Sequence, residues 1–90
     1  MPNPRRVAQA ESQILTWMLE DFRGDPRSIF NSEDNRIVPA GLTAAEVEAA
    51  IDALIRENLI NTEYLGPMRP YQLTPAGVRR ALSHPVVASY

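Results

Sequence analysis

Apolar residues along this chain recur first at helical spacing, then at alternate positions, then at helical spacing again. Between Pro4 and Gly24, Val7, Ile14, Leu15, Met18 and Phe22 share one helical stripe with Leu19 at its edge, which predicts an amphipathic helix. Asn3 can cap its start, and Pro4 suits the first helical position because its missing N–H would have no partner there. Trp17 lies to the other side of the stripe. It either fills the core or sits at a contact with a neighbouring element or subunit, a half-polar setting that indole favours.

Asp25-Pro26 has the form of an N-cap and first-turn pair, predicting a second helix of about two turns through Ile29 and Phe30. Residues 31–41 then read as a loop, with Arg36-Ile37-Val38 as a short extended piece before Pro39. Thr43-Ala44-Ala45-Glu46 is a capping box: the threonine hydroxyl accepts from the Glu46 amide while the Glu46 carboxylate reaches back to the Thr43 amide. A third helix, Thr43 to Asn58, follows, with Val47, Ile51, Leu54 and Ile55 as its buried stripe. Asn58 suits a left-handed helix stop, and Leu59-Ile60 leads out as a strand. Ile60, Thr62 and Tyr64 alternate with Asn61, Glu63 and Leu65, and the alternation resumes at Pro70-Tyr71-Gln72-Leu73, so residues 60–73 predict a two-stranded hairpin with residues 66–70 at its tip. Thr74-Pro75 opens a last short helix with Val78, Ala81 and Leu82 facing inward, and residues 84–90 form a tail. The whole, residues 1–90, reads as one α+β domain with its core over about residues 4–83.

Charge changes this picture more than composition does. The net charge is -2, whereas a domain held to nucleic acid mainly by phosphate attraction is usually basic. All nine cations are arginines, the side chain suited to planar bidentate contacts, although a GC-rich genome explains that bias equally well. They are unevenly placed: residues 1–41 carry -1, residues 42–60 carry -3 and residues 61–90 carry +2. Any affinity for phosphate therefore belongs to the last third. The chain has no cysteine and one histidine, His84, which removes the usual zinc sites, and no serine triad signature or phosphate-binding glycine loop is present. No metal, cofactor or catalytic activity is expected. The N-terminus lacks the apolar stretch of a signal peptide and no apolar run of about 18 residues occurs, so the expectation is a cytoplasmic protein without a membrane partner.

The residues Leu42-Thr43, Val47, Ile51, Leu54 and Asn58-Leu59-Ile60, followed by Tyr71-x-Leu73-Thr74-x-x-Gly77, resemble the winged helix-turn-helix domains of MarR and PadR type regulators over about residues 5–82. The resemblance implies three helices, a two-stranded wing and a short C-terminal helix, in a bacterial or phage transcriptional regulator that binds double-stranded DNA as a homodimer. It makes the third helix the recognition helix and residues 66–70 the wing tip. In such domains the helix lies in the major groove and the wing meets backbone or minor groove.

Helix 3 departs from that pattern. Opposite its apolar stripe lie Ala45, Ala49, Ala53 and Arg56, flanked by Glu46, Glu48 and Asp52, whereas base readout relies on side-chain donors and acceptors. The leading expectation is thus a DNA-binding regulator whose contacts come from Arg69 on the wing, Arg79 and Arg80 on the last helix, Arg5 and Arg6 on the first, with Arg56 and Thr43 beside them. The alternative is a winged-helix interaction module that has lost DNA binding and receives a protein partner on the small-residue ridge Ala45, Ala49, Ala53, with Trp17 as a further contact.

Overall fold

The computed structural model describes residues 3–62 and 71–83 of the 90-residue chain. Three helices, α1 (Pro4–Gly24), α2 (Ala44–Arg56) and α3 (Pro75–Ser83), pack with a two-stranded antiparallel sheet of β1 (Ile60–Thr62) and β2 (Tyr71–Leu73). The α+β composition and the order of these elements match the expectation, except that the short second helix is absent. The expected hairpin tip at residues 66–70 and the tail at residues 84–90 lie outside the described residues. None of the described helices is long and apolar enough to cross a membrane.

Local chemistry accounts for the helix ends. The Asn3 side chain accepts a hydrogen bond from the Arg5 amide at 2.9 Å, and Pro4 occupies the first turn. In α2 both halves of the capping box form: Glu46 N–H donates to Thr43 Oγ1 at 3.2 Å and Thr43 N–H donates to Glu46 Oε1 at 2.9 Å. Asn58 stops α2 with a φ of 59°, and the amides of Asn58 and Leu59 donate back to the carbonyls of Ile55 and Leu54. Such a left-handed stop satisfies carbonyls that the helix end would otherwise leave open.

The missing helix has a tertiary cause. Ser28 N–H donates to the Asp25 carbonyl and Arg27 N–H to the Asp25 side chain, closing a tight turn instead of a first helical turn. Phe30 then exchanges two backbone hydrogen bonds with Tyr71, at 2.8 and 3.0 Å, and is buried. An isolated helix of about two turns is marginal in water, so burying Phe30 against the hairpin prevails. Arg36 to Val38 is likewise a turn and not an extended piece. Ala40 N–H donates to the Arg36 carbonyl, Gly41 N–H to Val38 and Leu42 N–H to Ile37, with Gly41 at a φ of 77°. One helical turn with a left-handed glycine stop therefore leads directly into α2.

The core joins Ile14, Leu15 and Met18 of α1 to Val47, Ala50, Ile51 and Leu54 of α2, closed by Phe30, Ile37, Leu59, Ile60, Tyr71 and Ala81. Val7 and Phe22 are only half-buried at the ends of the α1 stripe. Two inward assignments fail: Ile55 is 37% exposed and Leu82 is 53% exposed. Their places are taken by Ala50 in α2 and by Gly77 in α3, small residues that let each helix sit close to its neighbours.

Thr74 and Gly77 lock α3 onto the end of α2. Thr74 Oγ1 donates to the Asn58 carbonyl at 2.7 Å and accepts from Gly77 N–H at 3.0 Å, while Thr74 N–H donates to the Leu59 carbonyl at 3.1 Å. A Cβ on Gly77 would overlap that same Leu59 oxygen and stand 2.9 Å from Leu73 Cδ2. The spacing Asn58-Leu59 … Thr74-x-x-Gly77 thus records one hydrogen-bonded junction.

Candidate functional site

The arginines proposed from sequence to meet DNA divide into engaged and exposed ones. Arg6 is engaged: its Nε donates to Glu46 Oε2 at 3.0 Å, and one terminal nitrogen donates to Glu46 Oε1 and to the Gly41 carbonyl. The Arg6 guanidinium thus ties α1 to the start of α2 while its side chain remains 41% exposed. The pair holds the Glu46 carboxyl below its ordinary range, first through the Arg6 hydrogen bond and then through the Thr43 amide. Glu46 itself is buried and not part of the outer face of α2. The Thr43 oxygen is taken by the capping box, although the residue is exposed.

Arg5, Arg56, Arg79 and Arg80 are exposed and make no ion pair among the described residues. Arg69 lies outside the described residues.

Trp17 is corrected as a surface contact. It is 8% exposed, its ring stacks on Phe30 at a centroid separation of 6.4 Å, and the Arg36 guanidinium lies 5.4 Å from its ring centre. Arg36 in turn forms two hydrogen bonds to Asp21, at 3.1 and 2.8 Å, and two to Asp34, both at 2.8 Å. Those bonds raise the Arg36 pKa further above its ordinary value, and the Arg36 hydrogen bond holds the Asp34 carboxyl below the usual aspartate range. This cluster fastens the long connection between α1 and α2 to α1. It was invisible to periodicity because its members come from separate elements.

What remains on the surface of α2 is acidic and small. Ala45 is exposed, Ala49 and Ala53 are half-buried, and Glu48, Asp52 and Arg56 are exposed. Glu48 and Asp52 stand four residues apart, so they share a face, and neither has a cation within ion-pair distance among the described residues. Beside them a crevice lined by Ser32, Glu48, Ile51, Asp52 and Tyr71 separates α2 from the base of the hairpin. Ser32 and Tyr71 join this site only through folding, since the 31–34 turn and the start of β2 are brought to the flank of α2.

A second crevice is lined by residues that include Glu11 of α1, Glu57 at the end of α2 and Arg80 of α3. Burial pushes the Glu11 carboxyl up, reinforced by the nearby Glu57 charge and opposed by Arg80 and Arg56. Among the described residues no group of three or more metal-ligating side chains converges. Comparison of the chain with known protein families, with curated proteins and with solved structures finds no match.

Proposed function

We propose that this domain is a winged-helix interaction module in which the outer face of α2 docks a protein partner in place of DNA bases. The order of helix, single turn, helix, hairpin and helix is compatible with the winged-helix reading. One observation carries the functional reading: the face of α2 turned away from the core holds Ala45, Ala49, Glu48 and Asp52, with Arg56 as its cation. Alanine offers DNA only a methyl contact, and two carboxylates facing a groove between phosphate strands oppose entry within a Debye length of about 10 Å. The commitment of Arg6 to Glu46 removes one of the counterbalancing cations.

A second reading keeps DNA, held by its backbone alone in a homodimer. The exposure of Arg5, Arg79 and Arg80, together with Arg69 from the sequence, favours it. Fluorescence anisotropy of a labelled random duplex at about 50 and 200 mM salt separates the two, because phosphate-driven affinity falls steeply over that interval. The docking reading expects no association at the lower salt. Salt-sensitive binding that weakens in Arg79→Ala, Arg80→Ala and Arg69→Ala would replace it with the second.

A further inference from the structure

Resting on the docking reading, we infer that the crevice between α2 and the hairpin receives a cationic side chain, arginine or lysine, from a basic amphipathic segment of the partner. Three independent features converge there. Glu48 and Asp52 place two carboxylates one helical turn apart on the same wall, a spacing that lets one guanidinium bridge both. Arg56, four residues beyond Asp52, stays outside ion-pair distance, so the like-charged pair is relieved by no cation among the described residues.

Tyr71 supplies the second feature. The residue is only 6% exposed and lines the crevice, yet its hydroxyl makes no hydrogen bond among the described residues. Tyr71 lines the crevice, and no polar side-chain atom among the described residues is both sealed from solvent and unpartnered. The Tyr71 hydroxyl can accept from an ammonium or guanidinium. The third feature is the apolar surround. Ile51 lines the crevice wall and Ile55, 37% exposed, lies one turn along, so the methylene stem of the cation and an adjacent apolar residue have a surface to cover. A duplex would bring phosphates to these carboxylates, and an acidic or neutral helix would leave them unrelieved; a cationic segment is the occupant whose charge complements the site.

The test uses the full chain, isotopically labelled, titrated with a synthetic amphipathic peptide carrying arginine at every fourth position beside leucines, and with the same peptide bearing glutamine for arginine. The expected result is amide shift changes centred on Ser32, Glu48, Ile51, Asp52 and Tyr71 for the arginine peptide. The double variant Glu48→Gln/Asp52→Asn is expected to weaken it by about tenfold, and Tyr71→Phe, which keeps the buried ring, by about threefold. Binding that is equal for both peptides, unchanged in the double variant, or centred on the Glu11 and Glu57 crevice overturns the inference. Equal binding of the glutamine peptide on α2 leaves the docking reading standing, whereas duplex binding in the salt titration removes that reading itself.

Discussion

Replacing Gly77 by alanine tests the central junction of the fold, because two effects of opposite sign compete there. Gly77 lies inside α3, where alanine is the better helix former by about 1 kcal/mol, so propensity alone expects stabilisation. The added Cβ, however, would overlap the Leu59 carbonyl oxygen and approach Leu73 Cδ2 to 2.9 Å and the Leu59 carbonyl carbon to 3.0 Å. The Leu59 oxygen cannot swing aside cheaply, since it accepts the Thr74 amide at 3.1 Å and belongs to the chain entering β1. Separating α3 from that backbone would also strain the Thr74 bonds to Asn58 and Gly77. Overpacking against a flexible side chain costs about 1–3 kcal/mol, and an immobile backbone puts this site at or above the upper end. The net expectation is a loss of about 2 kcal/mol, which in a domain of this size lowers Tm by roughly 8–16 °C. Gly24→Ala is the control: nothing lies within 4 Å of its Cβ and its φ is not positive, so it is expected to gain a few tenths of a kcal/mol, up to about 1 kcal/mol. Urea and thermal unfolding of both variants decide the matter. If Gly77→Ala is as stable as the parent, the close approach of α3 to Leu59 is not present in solution and the junction described above is wrong.

Other outcomes follow from the same contacts. Thr74→Val keeps the shape but removes the donor to Asn58 and the acceptor for Gly77 N–H, and should cost about 2 kcal/mol in urea unfolding; a change below about 0.5 kcal/mol would argue against the junction. Arg36→Lys retains the charge but cannot make four planar bonds to Asp21 and Asp34 over the Trp17 ring, and is expected to lose about 1–2 kcal/mol and to shift Trp17 fluorescence; an unchanged emission maximum would count against the stacked cluster. Asp34 and Glu46 have depressed pKa values in the folded state, so their contribution is present above the ordinary carboxylate range and is lost as pH falls through the folded values; stability should decline below about pH 4, less steeply in the Arg6→Ala variant. Glu11 has the opposite sign. Its raised folded pKa means the protonated form is favoured and stability falls as pH rises through it, so Glu11→Gln should unfold at higher urea than the parent at pH 7 and equally near pH 3.5. A destabilised Glu11→Gln protein at pH 7 would show that Arg80 and Arg56 outweigh burial at that site.

Much of the fold was legible because its signals are local. The Asn3 cap, the Thr43-Glu46 box and the Asn58 stop each involve residues within a few positions of one another, and all three form. The stripe on α2 was off by one position: Ile55 at its edge turns outward and Ala50, too small to draw attention, is fully buried. The failures elsewhere are long-range. Phe30 leaves a helix that its own neighbours encode in order to pair with Tyr71, and Arg6 finds a partner 40 residues away. The loop over residues 31–41 was expected, and the turns on either side of Phe30 carry their own local signal. Asp25, Asn31 and Asp34 each accept from the amide two residues on, and Asx residues at such positions specify turns better than extended chain. The candidate site was half legible: the acids of α2 could be seen in sequence, but not the crevice that Ser32 and Tyr71 complete.

The cost of keeping those acids offers a last discriminating measurement. Like charges four residues apart on a helix oppose each other by about 0.2–0.5 kcal/mol, and no cation among the described residues offsets Glu48 and Asp52. If they serve a partner and not the fold, Glu48→Gln/Asp52→Asn should be slightly more stable than the parent, by roughly 1–4 °C in Tm. The same substitutions should weaken the response to the arginine peptide by about tenfold, so stability and binding move in opposite directions. A residue that supports the fold cannot behave in this way. Should the double variant instead unfold earlier, Glu48 and Asp52 would be fixing α2 against the 31–34 turn. The crevice would then be a structural seam, and the partner would have to be sought on the exposed arginines of α1 and α3.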